Sequence, residues 1–152
     1  MTTITLASIQ AEQSRVNSMI DAFVKQQRVS EYCIPEAYIE LHPGERYAGI
    51  VLDDDGEPSH HLVQLPGDEE DLTHDDALAW AKGVGGDLPS RREQALLFAN
   101  LRGFQKAAYW SAETHAEDSS YAWCQYFSGG NQFNGLKSAQ LRAVAVRRLV
   151  IE

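Results

Sequence analysis

The sequence predicts an α+β domain over residues 31–152, preceded by an N-terminal helical segment over residues 1–30. Three observations predict it. An apolar stripe recurs every seven residues near the N-terminus, at Ile9, Val16 and Phe23. Two helix starts, at Thr73 and Ser90, carry capping residues. Short apolar runs separated by turn residues lie on either side of those starts.

Taken in order, residues from about Ser8 to Val29 read as one helix, with Met19 and Ile20 thickening the stripe and Gln13 on the seam. The intervening positions are polar. Such a narrow apolar face suits either a coiled coil of about three heptads or docking on the main domain. EAYIEL, residues 36–41, predicts a short strand. Tyr47–Leu52 and His60–Leu65 predict a hairpin turning at Asp54-Asp55-Gly56. Thr73 caps the next helix, with Asp75 and Asp76 near the positive end of its dipole and Ala77, Leu78, Trp80 and Ala81 on its buried side. Ser90-Arg91-Arg92-Glu93 is a capping box, followed by an apolar face of Ala95, Leu96, Phe98, Ala99 and Leu101. Strands are then expected at Tyr109–Ser111, Tyr121–Phe127 and Val144–Ile151.

A chain of 152 residues is long enough for one domain with a sizeable core. Its formal net charge of -9 repels phosphate, so direct nucleic-acid binding is not expected, whereas a basic protein partner would be attracted. The N-terminus lacks the basic start and apolar core of a signal peptide, and no stretch approaches the roughly 20 apolar residues of a membrane span. Cys33 and Cys124 are the only cysteines, too few for a structural zinc site; they read as two buried free thiols in a reducing compartment, with a Cys33–Cys124 disulfide as the alternative.

No metal, cofactor or catalytic set is expected. His60 and His61 are adjacent in a strand and face opposite ways, so they cannot easily ligate one ion, with or without His74. Asp53 to Pro58 is a turn without the spaced oxygen ligands of a calcium loop. Asp68-Glu69-Glu70-Asp71 reads as a solvated acidic loop before a helix start. Ser111, Ser128 and Ser138 have no His/Asp constellation beside them. Arg91 and Arg92 are assigned to the solvent side of their helix, and either Arg147 or Arg148 to an internal pair with a carboxylate such as Glu93. Trp80, Trp110 and Trp123 read as core. The segment SGGNQFNGLKS, with Tyr121, Tyr126 and Phe133 around it, reads as a loop in which amides sit beside rigid aromatics, the composition of recognition loops.

Four segments in this order resemble the C-type-lectin-like domain of the Lcl C-terminal type, found in bacterial, phage and prophage proteins. Gly86, Leu88, Pro89, Ser90 and Glu93 match a G-x-x-LP-[ST]-x-x-E segment that opens the second helix. Tyr109-Trp110-Ser111 matches a YWSS-like strand, with Ala112 in place of the second serine. Trp123, Phe127 and Gly130 match an aromatic strand ending in F-x-x-G, and Val146-Arg147 a terminal VR strand. The resemblance covers roughly Tyr47 to Leu149. It implies two helices with a small, mainly antiparallel sheet, and a non-enzymatic phage or prophage recognition module in the host cytoplasm or a virion. The same broad fold occurs in formylglycine-generating enzymes, but the cysteine pair their oxidase chemistry needs is missing here, where Cys124 stands alone. The EPN- or QPD-like loop of calcium-dependent lectins is missing as well.

By that resemblance the C-terminal region binds a host or phage protein, or a glycan, through Trp110, Glu113, Tyr126, Ser128, Asn131, Gln132, Phe133, Asn134 and Lys137. The alternative is an anti-CRISPR-like inhibitor of a host defence complex. It would present an acidic surface of Asp53, Asp54, Asp55, Glu57, Asp68, Glu69, Glu70, Asp71, Asp75 and Asp76 to a basic nucleic-acid groove.

Overall fold

The computed structural model describes residues 3–152, and the chain divides into two compact units, Met1–Ile34 and Pro35–Glu152. In the first unit, helix α1 spans Leu6–Gln26. It starts earlier than the apolar periodicity suggests because Thr5 caps it. The Thr5 hydroxyl accepts from the Ser8 N–H at 3.1 Å, and the Ser8 hydroxyl accepts from the Thr5 N–H at 3.1 Å. No helix among the described residues is long and apolar enough to cross a membrane.

The second unit is mixed α+β. Its elements are β1 (Arg46–Leu52), β2 (Pro58–Gln64), β3 (Glu69–Leu72), α2 (His74–Gly83), α3 (Arg91–Asn100), β4 (Ala108–Thr114), β5 (Tyr121–Tyr126), β6 (Gln132–Leu136), β7 (Leu141–Ala143) and β8 (Val146–Val150). They form a three-stranded sheet ordered β1-β2-β8 and a five-stranded sheet ordered β3-β7-β4-β5-β6. The expected hairpin forms as β1 and β2, antiparallel, with Gly56 at φ 81° in its turn.

Two cores follow from this layout. One gathers Ala77 and Ala81 of α2 with Trp110, Cys124 and Ala143 of the five-stranded sheet. The other gathers Leu97 of α3 with Val51 and Leu62 of the three-stranded sheet, and with Tyr109 and Phe127. The C-terminal segment joins them. One strand was expected over Val144–Ile151, but the chain leaves β7 at Ala143 and enters β8 at Val146 in the other sheet. Across the junction Ala143 and Ala145 point into the first core and Val144 and Val146 into the second. The alternation is real, yet both faces are buried, so it separates two cores rather than core from solvent.

Other expectations need correction. Residues 36–41 form no strand. Pro35, Ala37, Ile39 and Leu41 instead line a hollow of about 390 Å³ with Tyr47, Ile50 and His61, which is strand-like alternation without a hydrogen-bond ladder. The Asp68–Asp71 run is not a free loop, because residues from Glu69 form β3, paired with β7. On α3 the buried residues are Glu93, Gln94 and Leu97, whereas Ala95 and Ala99 are exposed. Two polar side chains take the inward positions because the Glu93 carboxylate accepts from Ser90, His60 and Arg148 and the Gln94 amide donates to the Tyr109 carbonyl, which apolar counting cannot register. Cys33 is exposed rather than buried.

Candidate functional site

The segment read as a recognition loop, SGGNQFNGLKS, has a strand at its centre. Gln132–Leu136 is β6, the edge strand paired antiparallel with β5, in register Gln125↔Gln132, Cys124↔Phe133 and Trp123↔Asn134. Successive side chains of a strand point to opposite faces. Gln132 and Asn134 therefore share a face with Trp123 and Gln125, while Phe133 turns to the other, packs on the first core and stacks on Tyr126 at 4.7 Å between centroids. The predicted set is split accordingly. Trp110 is fully buried, its indole N–H donating to the Leu72 carbonyl at 2.8 Å, and cannot touch a ligand. Ser128 and Asn131 are exposed at the β5–β6 turn. Lys137 follows the far end of β6, roughly 17 Å along the strand from Gln132.

What the fold does bring together is a groove of about 760 Å³ at the N-terminal end of α3. Its walls are Ser90, Arg91 and Arg92 of the helix start, Ser59 and His60 of β2, Asp53 and Asp54 of the hairpin turn, and Glu113, Gly130 and Gln132. Two members of the expected recognition set and two of the expected acidic surface thus line one cavity. Gly130 is needed here twice over, since its φ is 83° and a Cβ would come within 2.6 Å of the Phe98 ring.

The helix start is fixed from beneath by Glu93, which is 1% exposed. Its Oε1 accepts from the Ser90 N–H at 2.8 Å and Arg148 Nη2 at 2.7 Å, and its Oε2 from Arg148 Nε and His60 Nε2, each at 2.7 Å. An ionised carboxylate only accepts, so His60 carries its proton on Nε2. Burial pushes this carboxyl up, but the Arg148 fork, the Ser90 N–H and His60 more than offset it and hold the pKa at about 2. The expected internal pair therefore forms with Arg148. Arg147 reaches the other way, to Glu45 at 2.6 Å. His60 and His61 do face apart, His61 bonding to the Tyr47 hydroxyl at 2.8 Å.

The groove's polar side chains are held in turn. Gln132 Nε2 donates to the Arg91 carbonyl at 2.7 Å and to Gln125 Oε1 at 2.8 Å, and its Oε1 accepts from Arg91 Nε at 3.0 Å. The Arg91 guanidinium lies 3.4 Å over the Trp123 ring. Trp123 is thus a platform at the surface rather than core, and Arg91 is bound to the sheet rather than free in solvent. An irregularity in β4 aims Glu113: the three residues between Trp110 and Thr114 face the single residue between Cys124 and Ala122 on β5, and Glu113 Oε2 accepts from the Arg91 N–H at 2.6 Å. Arg92 crosses to the hairpin turn, bonding the Leu52 carbonyl at 2.6 Å and Asp54 at 2.9 Å.

The acidic residues divide by partner. Asp68 and Glu70 pair with Arg142 at 3.0 and 2.9 Å, and Asp68 also accepts from the Tyr109 hydroxyl at 2.8 Å. Asp53 accepts from the Asp55 and Glu57 N–H groups within its own turn. Asp55, Glu57, Glu69, Asp71, Asp75 and Asp76 are exposed and make no ion pair. No three His, Cys, Asp or Glu side chains among the described residues are arranged to hold a metal ion. Cys124 is fully buried, and burial pushes its thiol up to about 12, so it stays protonated at neutral pH.

Arg91, Arg92, His60 and Ser90 are groove residues that sequence reasoning did not assign to a site, as is Trp123, which supports Arg91 from outside the groove wall. The capping box was the available signal, since it fixes where α3 begins and hence which side chains crowd its first turn. No family model and no curated protein matches the chain, so the reading of this groove rests on its own geometry.

Proposed function

We propose that residues 35–152 form a C-type-lectin-like domain acting as a non-enzymatic recognition module, in a phage or prophage setting, with a protein or glycan ligand seated in the groove at the head of α3. The observation that carries the reading is the groove's rigidity. Gln132, Arg91, Arg92 and Glu113 are each held by at least one hydrogen bond to a neighbouring element, above the four-bonded Glu93. Polar groups fixed before binding lose little entropy when a ligand arrives, which is how modest grooves reach specificity. The C-type-lectin-like assignment is supported by where its motif residues fall. Gly86 to Glu93 open α3, Tyr109-Trp110-Ser111 lie in β4, Trp123 in β5, and Val146-Arg147 start β8. Gly86 also fits a motif position that admits only glycine, as a Cβ there would meet the Val146 carbonyl oxygen at 2.6 Å.

The test is capture of partners from host lysate, alongside binding to a glycan array, for the wild type, an Arg92→Ala/Gln132→Ala variant and a Phe133→Ala variant. Loss of the ligand with the first variant and retention with the second is the expected result. Equal loss with both would place binding elsewhere.

The six unpaired acidic side chains support a second reading, an inhibitor that occupies a basic nucleic-acid groove. A partner indifferent to both variants but released by salt would select it.

A further inference from the structure

We propose that α1 pairs with α1 of a second copy as a parallel, in-register, two-stranded coiled coil. The helix is 21 residues, about 32 Å long, and its first-unit neighbours after Gln26 form no second element that could cover its apolar stripe. A helix of this length without a packed face is marginal in water. Its seam reads Leu6, Ile9, Gln13, Val16, Ile20 and Phe23, alternating steps of three and four, so Leu6, Gln13 and Ile20 occupy a positions and Ile9, Val16 and Phe23 occupy d positions. The five apolar members are 45–70% exposed.

Two details select a second copy, and its orientation. In a parallel pair the a layers face their own equivalents, so the Gln13 amides meet and each can donate and accept. An antiparallel pair that aligns Leu6 with Phe23 sets Gln13 against Val16 and buries an amide against hydrocarbon. The flanks agree. Two apolar residues of α1 lie beside the seam, Met19 at a g position and Val24 at an e position. A g residue touches the e residue five positions on in a parallel partner, so Met19 meets Val24 and the stripe widens only where a parallel partner reaches. The same rule sets Glu12 opposite Asn17, and no like charges face each other across the seam.

Sedimentation of the full chain at tens of micromolar should give about twice its 16.9 kDa mass. Val16→Glu should return it to monomer while leaving the near-ultraviolet signal of the folded tryptophans unchanged. Gln13→Leu should tighten association tenfold or more and loosen its stoichiometry. Orientation is read by thiol chemistry, because Cys33 is exposed and Cys124 is buried and silent. In a Gln27→Cys/Cys33→Ser chain, a parallel dimer sets the two new thiols face to face at the next a position, where they cross-link on mild oxidation, whereas an antiparallel one aligning Leu6 with Phe23 holds them about 38 Å apart along the axis. A monomer at every concentration, a dimer that survives Val16→Glu, or a dimer whose Gln27→Cys thiols fail to cross-link would each overturn the proposal.

Discussion

The two edges of the five-stranded sheet carry the two surfaces that the sequence offers for binding, and they are built differently. At one edge β6 is pinned from behind, where Gln132 is tied to Arg91 and Gln125, Arg91 lies on Trp123, and α3 is locked by Glu93. At the other edge β3 is laddered to β7, and its carboxylates share one cation, Arg142, whose fork spans Asp68 and Glu70. One edge is neutral amide held rigid and the other is acid neutralised by a single guanidinium. An acidic residue in the sequence is therefore not a charge available to a partner. Glu93, Asp68 and Glu70 are committed to folding, and the field outside comes from those left over, such as Asp71, Asp75 and Asp76.

The strongest way to break the contrast is Glu93→Ala. It strands Arg148 and His60, and removing one partner of a buried pair costs about 3–5 kcal/mol. The low end is expected because Arg148 keeps Asp87 at 3.2 Å and some solvent. Urea unfolding should show the loss, and groove binding should weaken while salt-sensitive binding at the β3 edge persists. The same carboxyl gives a pH signature. Its folded pKa of about 2 lies below the ordinary 4.5, so its stabilisation is complete above 4.5 and is lost as pH falls from there toward 2. His74 acts earlier. Burial holds its imidazole below the ordinary 6.5, so stability starts to decline as pH drops below 6.5. Glu93→Gln should make the lower limb shallower without removing it, because the Arg147 fork also holds Glu45 below the usual carboxylate range.

How far the sequence could be read follows the reach of each signal. Capping residues act within one turn, so Thr73 and Ser90 located α2 and α3, and the Asp-Gly turn located the β1–β2 hairpin. The edge strand β6 was misread because Gly129, Gly130 and Gly135 with Asn131 and Asn134 look like a loop. Its strand character comes from β5, a tertiary partner that overrides propensity. The inward turn of Gln94 and Gln125 was invisible for the same reason, as their partners are the Tyr109 and Gln94 carbonyls, 15 and 31 residues away in the chain. Half the site was legible as residue types, but which of them meet was not.

Arg142→Ala comes next in size. The side chain is 20% exposed and makes two charge-assisted bonds with partly exposed carboxylates, so a cost of about 1–2 kcal/mol is expected after allowing for solvent screening. It also frees Asp68 and Glu70, so affinity for a basic test peptide should rise at low salt while groove binding stays constant. Gln132→Ala should do the reverse. It costs about 1 kcal/mol in unfolding experiments, leaves the charge untouched and abolishes groove binding. If the two variants change the same binding event, the edges are not independent surfaces.

Asp71→Gly should have the smallest effect on folding and gives the cleanest separation of charge from structure. Asp71 holds φ at 57°, a conformation that costs a side chain and suits glycine, and it makes no ion pair. Relief of that strain is set against the greater freedom glycine gains in the unfolded chain, so stability should stay within about 0.5 kcal/mol of the wild type. One negative charge nonetheless leaves the β3 edge. Affinity for the basic peptide should then fall, in proportion to a charge that carries no folding role, and the fall should vanish at high salt. An unchanged affinity would mean that the exposed acids at this edge serve solubility alone, and the contrast between the edges would reduce to one binding surface and one solvated border.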